Sequence, residues 1–153
     1  MSTLKRALVL AIVISASIGV NLASSASAAT VTCGQTVTTS ITLAEDLGPC
    51  HGNGLVITGS GITVDLGGHT IRGDGSPGTT PAQAGIVLDH VSNVQVRNGT
   101  VRDFDGGIGV YFTSNSAVFG MNVVFNIGSA TSPFGEGIRF VNSNDNTVTR
   151  STV

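Results

Sequence analysis

Tryptophan is absent from this 153-residue chain and tyrosine occurs once, at Tyr111, which argues against a large aromatic binding platform. Lysine also occurs once, at Lys5, and only 10% of residues are charged. A nucleic-acid partner needs clustered basic side chains to displace counterions, and an anionic membrane surface needs the same. Neither fits. Cysteine occurs only at Cys33 and Cys50, and no further Cys or nearby His completes a four-ligand zinc set. What the chain has in quantity is glycine, at 21 positions, with much Thr, Ser, Asn and Val. Together with an apolar fraction of 41%, this describes a turn-rich β protein rather than a disordered one.

The first residues read as an export signal. Lys5 and Arg6 form a basic start, Ala7 to Val20 is an apolar run, and Ala26-Ser27-Ala28 supplies the small residues a signal peptidase needs. Cleavage is expected after Ala28, with Ala29 as a second option, so residues 1–28 are a signal peptide. The apolar run falls short of the ~20 residues a membrane span requires. Without residues 1–28 the chain keeps five arginines against nine acids, a net charge of −4 with histidine neutral. A secreted, extracellular location with no membrane attachment after cleavage follows. Oxidising surroundings there favour a Cys33–Cys50 disulfide.

The repeating unit shows most clearly from Gly85 to Phe104, GIVLDHVSNVQVRNGTVRDF. Apolar residues alternate at Ile86 and Leu88, at Val94 and Val96, and towards Val101. Such alternation makes strands with one buried face, and the separators are too short for helices. Setting Gly54, Gly85, Gly109 and Gly137 in register gives four apolar columns. They are Leu55–Ile86–Val110–Ile138, Ile57–Leu88–Phe112–Phe140, Leu66–Val96–Phe119–Val148 and Ile71–Val101–Val124–Val153. Columns of this kind turn alternating strands into one continuous core. The polar stretches Asp74 to Ala84 and Gly128 to Glu136 read as loops bulging between coils. Residues 29–53 carry the frame loosely and fit a disulfide-pinned N-terminal cap, followed by repeats over 54–153. Val153 falls on a buried column with no cap after it. Further coils, the chain being truncated there, or a partner are expected to cover that end.

DLGPCHGNGLVITGSGITVDLGGHTIRGDG, with SNVQVRNGTVRDF and SNDNTVTRSTV, resembles the right-handed parallel β-helix repeat proteins of the pectin-lyase-like superfamily. It is similar in particular to secreted bacterial members whose opening coil carries a Cys pair and a VDLGGHTI signature. The resemblance spans Cys33 to Val153 and implies an all-β, right-handed parallel β-helix of about four coils. It leaves activity open, because that fold hosts lyases, hydrolases and adhesins.

Candidate site residues follow from the frame. Arg72 and Arg102 occupy equivalent outward positions, with Asp74, Asp103 and Asp105 close behind in sequence. Tyr111 and Arg139 point outward from the first strands of the next coils. A strip of this kind suits an acidic polysaccharide, whose carboxylates match guanidinium groups in bidentate pairs. Asp103 and Asp105 are the candidate catalytic pair for a polysaccharide lyase or glycoside hydrolase, and with Asp74 they are hard oxygen ligands of the kind Ca²⁺ takes. The competing expectation is an outer face on which aspartates shield stacked arginines, as in a structural or adhesive module. The catalytic asparagine-threonine-aspartate, aspartate-aspartate and glycine-histidine-glycine runs of polygalacturonases are absent. His51, His69 and His90 form no column, as a periplasmic metal-handling protein would require. Asp65 and His69 are expected to serve local structure. Asn93, Asn115 and Asn144 are expected to stack as an amide ladder.

Overall fold

The computed structural model describes residues 27–76, 83–128 and 135–153. Most of the predicted signal segment and the middles of both predicted loops lie outside them. Every element among the described residues is a strand, and every ladder between named strands is parallel. In chain order the strands are β1 (Ser27–Ala29), β2 (Gln35–Val37), β3 (Ile41–Leu43), β4 (Leu47–Cys50), β5 (Leu55–Ile57), β6 (Thr63–Asp65) and β7 (Thr70–Gly73). They continue as β8 (Ala84–Asp89), β9 (Gln95–Arg102), β10 (Gly106–Tyr111), β11 (Ala117–Val124), β12 (Ile138–Val141) and β13 (Thr147–Thr149). One sheet runs β2-β5-β8-β10-β12. The other runs β1-β3-β6-β9-β11-β13, with β4 and β7 joining it beside β9. Each strand therefore pairs with its counterpart one repeat away, the arrangement of a β-solenoid.

The predicted columns exist, but all four are shifted in the third repeat, the first two by two residues and the other two by one. Ile86 pairs with Ile108, not Val110, and Ile108 with Ile138. Val110 instead continues the column of Ile57 and Leu88 down to Phe140. Phe112 is half exposed and stacks on the His90 ring at 4.5 Å, outside the column of Leu88. The glycine that resumes the ladder is Gly107 rather than Gly109. A Cβ on Gly107 would collide with Val123, as one on Gly85 would with Val101 and one on Gly137 with Val153. Each of these glycines leaves room for the valine that turns the corner from the other sheet. On that other sheet the columns are Val64–Val96–Val118–Val148 and Leu47–Ile71–Val101–Val123. Leu66, Phe119 and Val124 were expected in these columns and lie outside them, Leu66 two residues beyond Val64, and Phe119 and Val124 one residue beyond Val118 and Val123. Leu66 is still fully buried, whereas Phe119 and Val124 are only partly so.

Bends between strands fall in columns of their own. Asn98, Gly120 and Arg150 all have φ between 51° and 60°, as do successive repeats at Asn93, Asn115 and Asp145 (50–56°). Asn and Asp tolerate this left-handed region better than most residues. The third rung under Asn93 and Asn115 is thus Asp145, not Asn144, which pairs with Ser114. The amide ladder is absent from the described hydrogen bonds. Asn93 Nδ2 donates to its neighbour Ser92 and Asn144 Nδ2 to Asp145. Backbone bonds, Asn93 N to Ser114 O and Asn115 N to Asn144 O, join the repeats here instead.

Residues 29–53 are already in frame, since β2, β3 and β4 pair in parallel with β5, β6 and β7. The Cys33–Cys50 disulfide closes this first repeat and fits an oxidising compartment. β1 pairs with β3 across the predicted cleavage point after Ala28. No helix among the described residues is long and apolar enough to cross a membrane.

Candidate functional site

Ile71 and Val101 point into the core, so their neighbours in β7 and β9 point out. Thr70 pairs with Thr100 and Thr100 with Asn122, forming an outward polar column. Beside it Arg72 pairs with Arg102, and Arg102 with Val124. Paired strands stand about 4.8 Å apart, so the two arginines are stacked on adjacent rungs. These columns line a groove of about 560 Å³ bounded by Asp46 and Gly48 at one end and Phe125 at the other.

The two arginines differ in what holds them. Arg102 Nε donates to Asp103 Oδ2 at 2.9 Å, and its guanidinium lies 5.7 Å from the centre of the Phe125 ring. Arg72 is exposed, and among the described residues no carboxylate pairs with it. Asp74, two residues on, is engaged elsewhere. Asp74 accepts Ser76 N at 2.9 Å and contacts His51 Nδ1 at 2.6 Å. The Ser76 backbone bond is the main reason its carboxyl sits below the usual range, with His51 adding to it against burial. Asp46 is similarly held by the backbone N–H of Thr70 first and by His69 in addition, with burial opposing.

The remaining predicted residues do not converge on this groove. Asp103 sits at a bend with φ 63° and faces Arg102. Asp105 is buried, at 2% exposure, and its Oδ2 accepts Gln83 N at 3.0 Å while its backbone oxygen accepts Gly128 N. It fastens the ends of both long loops, so the expected open carboxylate pair is not formed. Tyr111 and Arg139 lie on the other sheet, in β10 and β12, beside a cavity of only about 30 Å³. There Arg139 Nε stands 3.5 Å from Glu136. Among the described residues no group of three His, Cys, Asp or Glu side chains is placed to hold a metal ion, Asp74 included.

Asp65 does serve local structure. Burial works against its charge, but Gly67 N at 2.9 Å, Arg97 Nε at 2.8 Å and Asn98 outweigh that and keep its carboxyl low. His69 binds the Asp46 carboxylate, where a backbone partner was expected. Sequence reasoning missed Phe125. The apolar triplet Val123-Val124-Phe125 does not reveal by alternation which member faces in. Counting from the Arg72–Arg102 offset with Gly107 as the anchor would have placed Val124 outside and Phe125 at the bend.

Comparison of the chain with protein-family models, with curated proteins and with solved structures finds no match.

Proposed function

We propose that the chain is an exported right-handed parallel β-helix protein that binds an acidic extracellular polysaccharide in the groove along β7, β9 and β11. Arg72 carries this reading. Like charges on adjacent rungs repel and normally need compensation, yet Arg72 is stacked on Arg102 with no carboxylate of its own among the described residues. A uronic-acid carboxylate would supply the missing charge and accept two guanidinium hydrogen bonds. The threonine and asparagine column beside it offers partners to sugar hydroxyls.

Binding is favoured over cleavage, because Asp105 is buried with its carboxylate on the Gln83 N–H, and Asp103 is paired with Arg102. The test is affinity electrophoresis through gels containing polygalacturonate or a neutral glucan. Retardation by the acidic polymer alone, weakened about tenfold in Arg72→Ala, is the expected result, since a hydrogen bond to a charged group is worth about 1.5–3 kcal/mol. Equal migration in both gels would leave a structural module as the better reading. Release of unsaturated or reducing products would make the protein an enzyme.

A further inference from the structure

Phe125 is an oddity that folding does not account for. Its φ is 56°, in the left-handed region that a bulky side chain rarely adopts, and it is 69% exposed. Both features are unfavourable in isolation. The same bend one repeat earlier holds Asp103, a residue type that tolerates this conformation and is paired with Arg102. Phe112 has a similar backbone and exposure, but its ring is stacked flat on His90, with 17° between the planes. The Phe125 ring has the guanidinium of Arg102 5.7 Å from its centre, and the residue stays largely open to solvent. Strain that persists at an exposed aromatic, beside a cleft, points towards a ligand.

We infer that Phe125 is the sugar-ring platform of the groove, setting its preference for saccharides over other polyanions. This rests on the polysaccharide reading above. One face of a pyranose presents polarised C–H groups, which suit the electron-rich face of an aromatic ring. With the ring seated on Phe125, the acid group of the same or the next residue comes within reach of Arg102 and Arg72. Hydroxyls on the edge then face Thr100 and Asn122. The arginines alone would accept any polycarboxylate. The ring is what makes the groove distinguish a carbohydrate from a charged polymer without rings.

The experiment compares an oligogalacturonate with polyglutamate, a polycarboxylate lacking sugar rings, by calorimetric titration. Phe125→Ala is expected to weaken oligogalacturonate binding about tenfold and leave polyglutamate binding unchanged, whereas Arg72→Ala weakens both. The chain has no tryptophan, so Phe125→Trp places a single indole reporter at the site. Its emission is expected to shift with oligogalacturonate and not with polyglutamate, a readout that survives even if the alanine variant folds poorly. Unchanged oligogalacturonate affinity in Phe125→Ala, or a silent indole in a variant that still binds, overturns the platform and leaves the arginine site standing. Absence of oligogalacturonate binding in the unaltered protein overturns both.

Discussion

Asp46 Oδ1 accepts the backbone N–H of Thr70 at 2.9 Å and lies 3.2 Å from His69 Nδ1, fastening the first repeat to the second. Asp65 and Asp74 likewise join neighbouring repeats, through Arg97 and His51. All three carboxyls have pKa values lowered on folding. Such groups stabilise the fold above their unfolded value near 3.9, and that contribution is lost as pH falls through the lower folded values. Denaturant unfolding is therefore expected to show stability falling below about pH 4 and little dependence on these groups above pH 5. Asp65→Ala should cost about 1–3 kcal/mol at pH 7, because Arg97 and Gly67 lose a partly buried acceptor, and should flatten the acid limb. An unchanged acid limb in that variant would count against the assignment.

Gly85 stands where Val101 turns the corner, and a Cβ there would overlap the valine side chain. Gly85→Ala is expected to destabilise by roughly 1–3 kcal/mol through overpacking. Gly106→Ala is the matched control, since the nearest atom to its Cβ would be Glu136 O at 3.8 Å. Urea midpoints of the two variants decide the point.

The disulfide closes a loop between positions 17 residues apart at the start of the ladder. Replacing both cysteines with serine should lower stability by about 3 kcal/mol in the loop-closure model. The loss should appear first in hydrogen exchange of β2 to β4, with β9 and β11 protected longer.

Arg72→Ala removes one member of a like-charged pair, so stability should hold or rise by about 0.2–1 kcal/mol. A thermal melt checks this. Weakened polysaccharide binding in a variant at least as stable as the parent separates recognition from folding.

The strands and most of the buried columns could be read from the sequence, because alternation reports which face is inside. Alternation is blind to a shift of two residues, and the glycines at 106, 107 and 109 offered several anchors in the third repeat. What selects Gly107 is the space taken by Val123, a contact from another strand that no local pattern contains. The arginine pair was legible for the same reason as the core, as an offset that recurs. Asp105 was not, since its burial depends on backbone N–H groups in loops far away in sequence needing an acceptor. Tyr111 and Arg139 are partly exposed, and sequence spacing did not say that β10 and β12 belong to a different sheet from β7 and β9.

The largest differences in repeat length fall at one corner, between Gly73 and Ala84, Arg102 and Gly106, and Val124 and Ile138. The backbone re-enters its track after each excursion, whether three residues or many have intervened. Insertions there would leave the interior undisturbed while remodelling the margin beside Phe125. One scaffold could in this way be refitted for different cargo by editing a single hem.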